Sequence, residues 1–138
     1  MKAHLTQNAA PLALYYNLPS DSAAALCAVL DDFSIAARVI SAADLARPVG
    51  TLAGVGGKIG TAFVGTPPDA ELLLLANFED ALLNQLLDAL RAKGVAIGLK
   101  AIVTKHNRTW TVLALITELL REKAAMPPSI LEKQEEKE

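Results

Sequence analysis

Glu71-Leu72-Leu73-Leu74-Leu75-Ala76-Asn77 is the stretch whose reading decides the fold. Four consecutive leucines suit a helix by propensity, but the flanks argue for a strand. Pro67-Pro68 stand before the run, Asn77 follows it, and a better helix begins immediately afterwards. A strand that is apolar on both faces is a central strand, buried on both sides. In the helix that follows, Asn77 is the expected cap, and Glu79 and Asp80 favour its positive end. Leu83, Leu86, Leu87 and Leu90 recur at helical spacing, Arg91 and Lys93 suit the negative end, and Gly94 terminates it.

Working outward toward the C-terminus, Ile97 to Thr104 predicts a further strand. A polar, basic turn follows at Lys105, His106, Asn107 and Arg108, and then the only tryptophan, Trp110. Thr111 to about Lys123 predicts an amphipathic helix, which Met126-Pro127-Pro128 breaks. Toward the N-terminus, Leu12 to Asn17 is a short apolar run stopped by Pro19, and predicts the first strand. Ser20 offers an N-cap for a helix whose buried face carries Ala23, Leu26, Cys27 and Leu30. Ile35 to Ser41 alternates weakly and predicts a second strand. Between Gly50 and Gly65 lie six of the eight glycines, with Pro48, Pro67 and Pro68 at the margins. That segment reads as loop, with one helical turn near Thr51 to Val55.

The domain layout that results is a flexible N-terminus over 1–10, one α+β domain over 11–124 with a glycine-rich insertion at 42–70, and a charged tail over 125–138. The order of elements is β-α-β, link, β-α-β, α. It fits a ferredoxin-like β-α-β-β-α-β sheet with an added C-terminal helix, or alternatively a small α/β parallel doubly wound sheet. Arg38 and Lys100 lie inside the second and fourth strands, which places those strands at the sheet edges. A parallel step from the second strand to the third needs a crossover helix, and residues 42–70 hold too much Gly and Pro to supply one. The ferredoxin-like reading is therefore favoured. It leaves one sheet face open, to be covered by the last helix or by a second subunit. The two βαβ halves look alike in outline, without a sequence repeat that stands out.

Composition excludes several classes of function. The 138 residues carry 13 basic and 15 acidic side chains, so no global charge draws the chain to nucleic acid or to an anionic membrane. No apolar stretch approaches the ~20 residues of a membrane span, and the N-terminus lacks the apolar core of a signal peptide. A single cysteine permits no internal disulfide, which fits a reducing cytoplasm. Two histidines, His4 and His106, and Cys27 are too few for a closed zinc site. Gly54 to Thr61 fails the phosphate-loop pattern, because Leu52 stands where a glycine is needed and Ile59 follows Lys58. Tyr15 and Tyr16 alone do not make the stacking pattern of an RNA-recognition sheet.

Lys100-Ala101-Ile102-Val103-Thr104, then Asn107, Trp110-Thr111, and then Leu115, Leu119 and Glu122 resemble the C-terminal signature of the domain of unknown function 3783 family. That signature reads roughly Lys-Ala-(Val/Ile)-(Leu/Val)-Thr, two variable residues, Asn, two variable residues, Trp-(Thr/Ser), and a helix with a leucine-rich face. The resemblance covers residues 72–122 well and residues 12–56 only in outline. This chain departs from the family at Ala114, where a glutamate would complete a capping box with Thr111. The resemblance implies no activity and assigns no catalytic residue.

Candidate chemistry concentrates around the same signature. Between Asp88 and Glu118 there is no acidic side chain, while Arg91, Lys93, Lys100, Lys105 and Arg108 are cationic. A small anion is the ligand expected at Lys100, Thr104, Lys105, His106, Asn107, Arg108 and Trp110, beside a helix start whose free N–H groups favour negative charge. The competing structural reading makes Thr104 and Asn107 turn and cap residues and Trp110 a core anchor. The sequence as a whole reads as a non-catalytic, self-associating cytoplasmic module without cofactor or metal. Its alternatives are an enzyme using Lys100 or His106 under a glycine-rich lid, or an adaptor for a protein partner.

Overall fold

The structure, a computed structural model, describes residues 10–54 and 62–125. The elements are β1 (Leu12–Tyr16), α1 (Ser20–Asp32), β2 (Ala36–Val39), a 3₁₀ turn (Ala42–Ala46), α2 (Val49–Ala53), β3 (Leu72–Ala76), α3 (Asp80–Ala92), β4 (Leu99–Ile102) and α4 (Val112–Ala125). The expectations for residues 1–9, 55–61 and 126–138 lie outside the described residues.

The four strands form one mixed sheet in the order β2-β1-β3-β4. β1 pairs with β2 in parallel, β3 with β4 in parallel, and β1 with β3 antiparallel, with Leu14 opposite Leu74 at the centre. The edge positions expected for the second and fourth strands are therefore correct. The ferredoxin-like order is corrected. In that order β3 would separate β1 from β2 and all neighbours would run antiparallel. Here each crossover helix returns its strand directly beside the one it left. The link explains why. After β2 the chain runs over the second sheet face as the 3₁₀ turn and α2, burying Leu45, Val49 and Leu52. A simple hairpin would leave those side chains in water, at about 25 cal/mol per Å² of apolar surface. The parallel doubly wound alternative holds within each βαβ half and fails at the antiparallel β1–β3 junction.

Both sheet faces are covered. α1 and α3 pack on one, burying Leu26, Val29, Leu30, Leu86 and Leu90 against Ala13, Leu73 and Leu75. On the other, α2 and α4 bring Val49, Leu52, Val112, Leu115 and Ile116 against Leu14, Leu72, Leu74 and Leu99. All five residues of β3 are buried, as a run apolar on both faces requires.

The two halves share one hydrogen-bond plan. Asn17 and Asn77, sixty positions apart, both take left-handed backbone at φ 62° and 66°. Asn17 Nδ2 donates to Ala70 O and Asn77 Nδ2 to Ala10 O, each at 3.2 Å. Past the helices the spacing becomes sixty-three. Ile40 N–H donates to Tyr15 O and Val103 N–H to Leu75 O, each at 2.8 Å. Val49 N–H donates to Trp110 O (2.8 Å) and Val112 N–H to Arg47 O (3.1 Å), on either side of an antiparallel bridge between Pro48 and Thr111. Such reciprocal exchange marks an approximate two-fold axis between β1 and β3.

That plan also corrects two helix starts. Asn77 does not cap α3: Glu79 holds the cap position, without a side-chain bond. Ser20 is the first helical residue of α1, preceded by Pro19. At both places the chain must reverse sharply at a strand end, and asparagine tolerates the left-handed turn that does so.

Candidate functional site

The signature residues form a closed joint between β4 and α4. Thr104 Oγ1 accepts the N–H groups of His106 and Asn107, each at 3.2 Å. Asn107 Oδ1 accepts the Thr104 N–H at 2.9 Å, and Asn107 Nδ2 donates to Ile102 O at 3.0 Å. Arg108 N–H donates to Thr104 O and Trp110 N–H to Asn107 O, both at 3.0 Å. At the start of α4, Thr111 Oγ1 accepts the Ala114 N–H at 3.0 Å, and Val112 N–H is taken by Arg47 O. Among the backbone donors at this joint, the His106, Asn107, Arg108, Trp110, Val112 and Ala114 N–H groups are thus engaged within the protein.

The first half builds the same joint from other residues. Asp44 Oδ2 accepts the Ser41 N–H at 3.0 Å and the Ser41 hydroxyl at 3.1 Å, and Arg47 Nη1 lies 2.6 Å from Asp44 Oδ1. Burial pushes the Asp44 carboxyl up. The Ser41 N–H, the Arg47 guanidinium and the Ser41 hydroxyl outweigh it, and hold the group below the ordinary carboxylate value. At corresponding positions the second joint carries Lys105 for Ala42, His106 for Ala43, Arg108 for Leu45 and Trp110 for Arg47. Leu45 is fully buried, whereas Lys105, His106 and Arg108 are exposed. Neither Lys105 nor Arg108 pairs with a carboxylate among the described residues.

Thr104, Lys105, His106, Asn107, Arg108 and Trp110 are brought together in this one turn. The His106 ring meets the Trp110 indole edge-on, with centroids 5.4 Å apart. Lys100 is not part of the group. Its neighbours Leu99 and Ala101 face α4, so Lys100 stands on the opposite face, with Nζ 3.5 Å from Ile97 O.

A shallow, open groove of about 600 Å³ runs from Trp110 along the outer side of α4, lined by Thr111, Leu113, Ala114, Thr117, Glu118 and Arg121. Sequence reasoning missed this part of the surface. Its signal was the helical spacing of Leu113, Thr117 and Arg121 after Trp110. Arg121 and Glu118, one turn apart on α4, approach to 3.4 Å.

Elsewhere, Tyr15 is raised above its usual pKa by burial and then by the thiol of Cys27, 3.9 Å from its hydroxyl. Tyr16 donates its hydroxyl to Pro68 O at 2.8 Å and is also raised, by burial and then by Asp69. No cluster of three or more His, Cys, Asp or Glu suited to a metal occurs among the described residues, and no helix there is long and apolar enough to cross a membrane.

No curated protein and no solved structure matches the chain. Residues 71–126, the half that runs from β3 through α4 and contains the Trp110 joint, match the model of the family described as Domain of unknown function (DUF3783).

Proposed function

We propose that the protein is a non-catalytic, self-associating module of the cytoplasm that binds a small anion carrying a planar or apolar part. The site is the exposed side of the second joint, with Lys105 and Arg108 for the charge, His106 for a hydrogen bond, and Trp110 with Leu113 for the rest. One observation carries this reading. The two joints share the same backbone frame, and the first needs no lysine, histidine or tryptophan to hold it. Lys105, His106 and Arg108 are therefore surplus to the fold, while Trp110 packs one side against the core beside them, and exposed cations beside an aromatic ring suit an anionic ligand. Because the His106, Asn107, Arg108 and Trp110 N–H groups are engaged, side chains supply most of the contacts. That implies a modest affinity, about −4 kcal/mol, or a Kd near 1 mM.

Trp110 is the only tryptophan, so its emission reports this site alone. Titration with inorganic phosphate and with a nucleoside monophosphate tests both halves of the ligand. A saturable change is expected with the nucleotide, weaker with phosphate, and lost in the double variant Lys105→Ala/Arg108→Ala. Absence of any response at tens of millimolar ligand removes the reading.

A further inference from the structure

The two outer edges of the sheet differ, and the two-fold correspondence shows where. On β4, the Leu99 and Val103 N–H groups point inward to Glu71 O and Leu75 O, so Gly98, Lys100 and Ile102 turn their backbone groups outward. This edge is blunted. Gly98 O receives Lys123 Nζ at 3.4 Å, Ile102 O receives Asn107 Nδ2 at 3.0 Å, and the Lys100 side chain stands exposed between them. On β2, Ile40 N–H points inward to Tyr15 O, so Ala37 and Val39 turn outward. Nothing caps them among the described residues. Asp44 occupies the position of Asn107 and has no N–H to offer the Val39 carbonyl. α2 ends at Ala53, and no lysine among the described residues reaches back as Lys123 does. The charge of Arg38 is drawn over α2, where Nη1 donates to Leu52 O at 2.8 Å. All four residues of β2 are exposed, and Val39 is 60% exposed.

We infer that β2 is the association edge of the self-associating module proposed above, pairing antiparallel with β2 of a second copy about a two-fold axis. The occupant follows from symmetry. A two-fold presents the same open Ala37 and Val39 groups from both molecules, and antiparallel pairing satisfies them mutually. In that register Ala37 of one copy lies opposite Val39 of the other, so each Val39 side chain packs over a small alanine on the α1 side, while Arg38 is drawn away over α2. The blunted β4 edge stops growth at two copies, giving a closed eight-stranded sheet rather than a fibre. A four-residue strand buries less than the about 1,200 Å² of a stable interface, so the dimer is concentration-dependent.

Sedimentation velocity of the full chain, from about 5 to 500 µM, spans the range expected for such a weak pair. A shift from monomer to dimer mass is expected across it. Val39→Lys sets a charge on the pairing edge, and Ala37→Pro removes an outward N–H without touching the bonds to β1. Each is expected to abolish the shift, while Ile102→Lys at the matching place on β4 preserves it. If Ala37→Pro fails to fold, Val39→Lys still decides, because the substituted side chain is exposed. A wild type that stays monomeric overturns both this inference and the self-association it rests on. A dimer that survives Val39→Lys overturns the inference alone. The Trp110 titration is expected to give the same result in every variant, so the anion reading stands or falls separately.

Discussion

Asn107→Ala is the substitution that most directly separates the structural part of the Trp110 joint from its exposed side chains. The Asn107 side chain makes two bonds, accepting the Thr104 N–H at 2.9 Å and donating to Ile102 O at 3.0 Å. A protein hydrogen bond contributes about 1 ± 0.5 kcal/mol net. Both bonds lie near the surface, where water replaces part of what is lost, so the lower half of that range applies to each. Truncation is expected to cost about 1–2 kcal/mol, or about 3–10 °C in a chain of this length. Asn107→Asp keeps an acceptor for the Thr104 N–H and loses the donor to Ile102 O, so it should cost about half as much. The assay is urea unfolding followed by far-ultraviolet circular dichroism, with an unchanged m-value showing that only stability moved. A loss below about 0.3 kcal/mol for Asn107→Ala, well under one average bond, would refute the structural assignment. Equal losses in the two variants would refute the claim that both bonds matter.

Four further outcomes follow from the packing and the caps. Leu74→Ala should cost about 3–5 kcal/mol in chemical denaturation, because Leu74 is fully buried at the β1–β3 junction. Leu120→Ala, at a side chain 41% exposed, should stay within about 0.5 kcal/mol. Asp44 sits below the ordinary carboxylate pKa, so the stability it contributes is complete above the unfolded value, about pH 4, and is lost as pH falls through the lower folded value. In thermal melts between pH 2 and 6, Asp44→Asn should flatten that acid limb, and an unchanged limb would contradict the assignment. Ala114→Glu should raise stability by about 0.5 kcal/mol by completing the capping box, since the Thr111 N–H has no partner among the described residues.

The sequence made the strands, the crossover helices and the joint legible, because each rests on local signals. Four leucines between proline and asparagine demanded burial on both faces, and β3 is buried throughout. Thr104 and Asn107 carried turn chemistry, and they bond as a turn. Strand order was not legible, since it depends on where Leu45, Val49 and Leu52 go, and those three sit in a segment dominated by glycine and proline. The two-fold repeat stayed hidden for another reason. The residues that preserve it are Asn17 with Asn77, Ser34 with Gly94, and Ser41 with Thr104. They serve backbone conformation and turn bonds, which several side chains satisfy equally well.

What distinguishes the two halves is therefore helix length rather than joint geometry. α4 continues for 14 residues, and its N-terminal turns pack over the 3₁₀ turn of the first half, so the fourth position of that turn must be apolar and is Leu45. α2 ends after five residues, at Gly54 in left-handed backbone, before it can pack in the same way over the second joint. The corresponding position there is Arg108, exposed to water. Among the described residues no helix end then places a lysine against β2, as Lys123 is placed against Gly98 at β4. A single short helix thus goes with both features from which function is inferred: among the described residues nothing covers the basic face beside Trp110 or caps the edge at Ala37 and Val39. In physical terms the two are linked: any change that lengthened α2 over the second joint would cover Arg108, and a lysine at its new end would blunt β2.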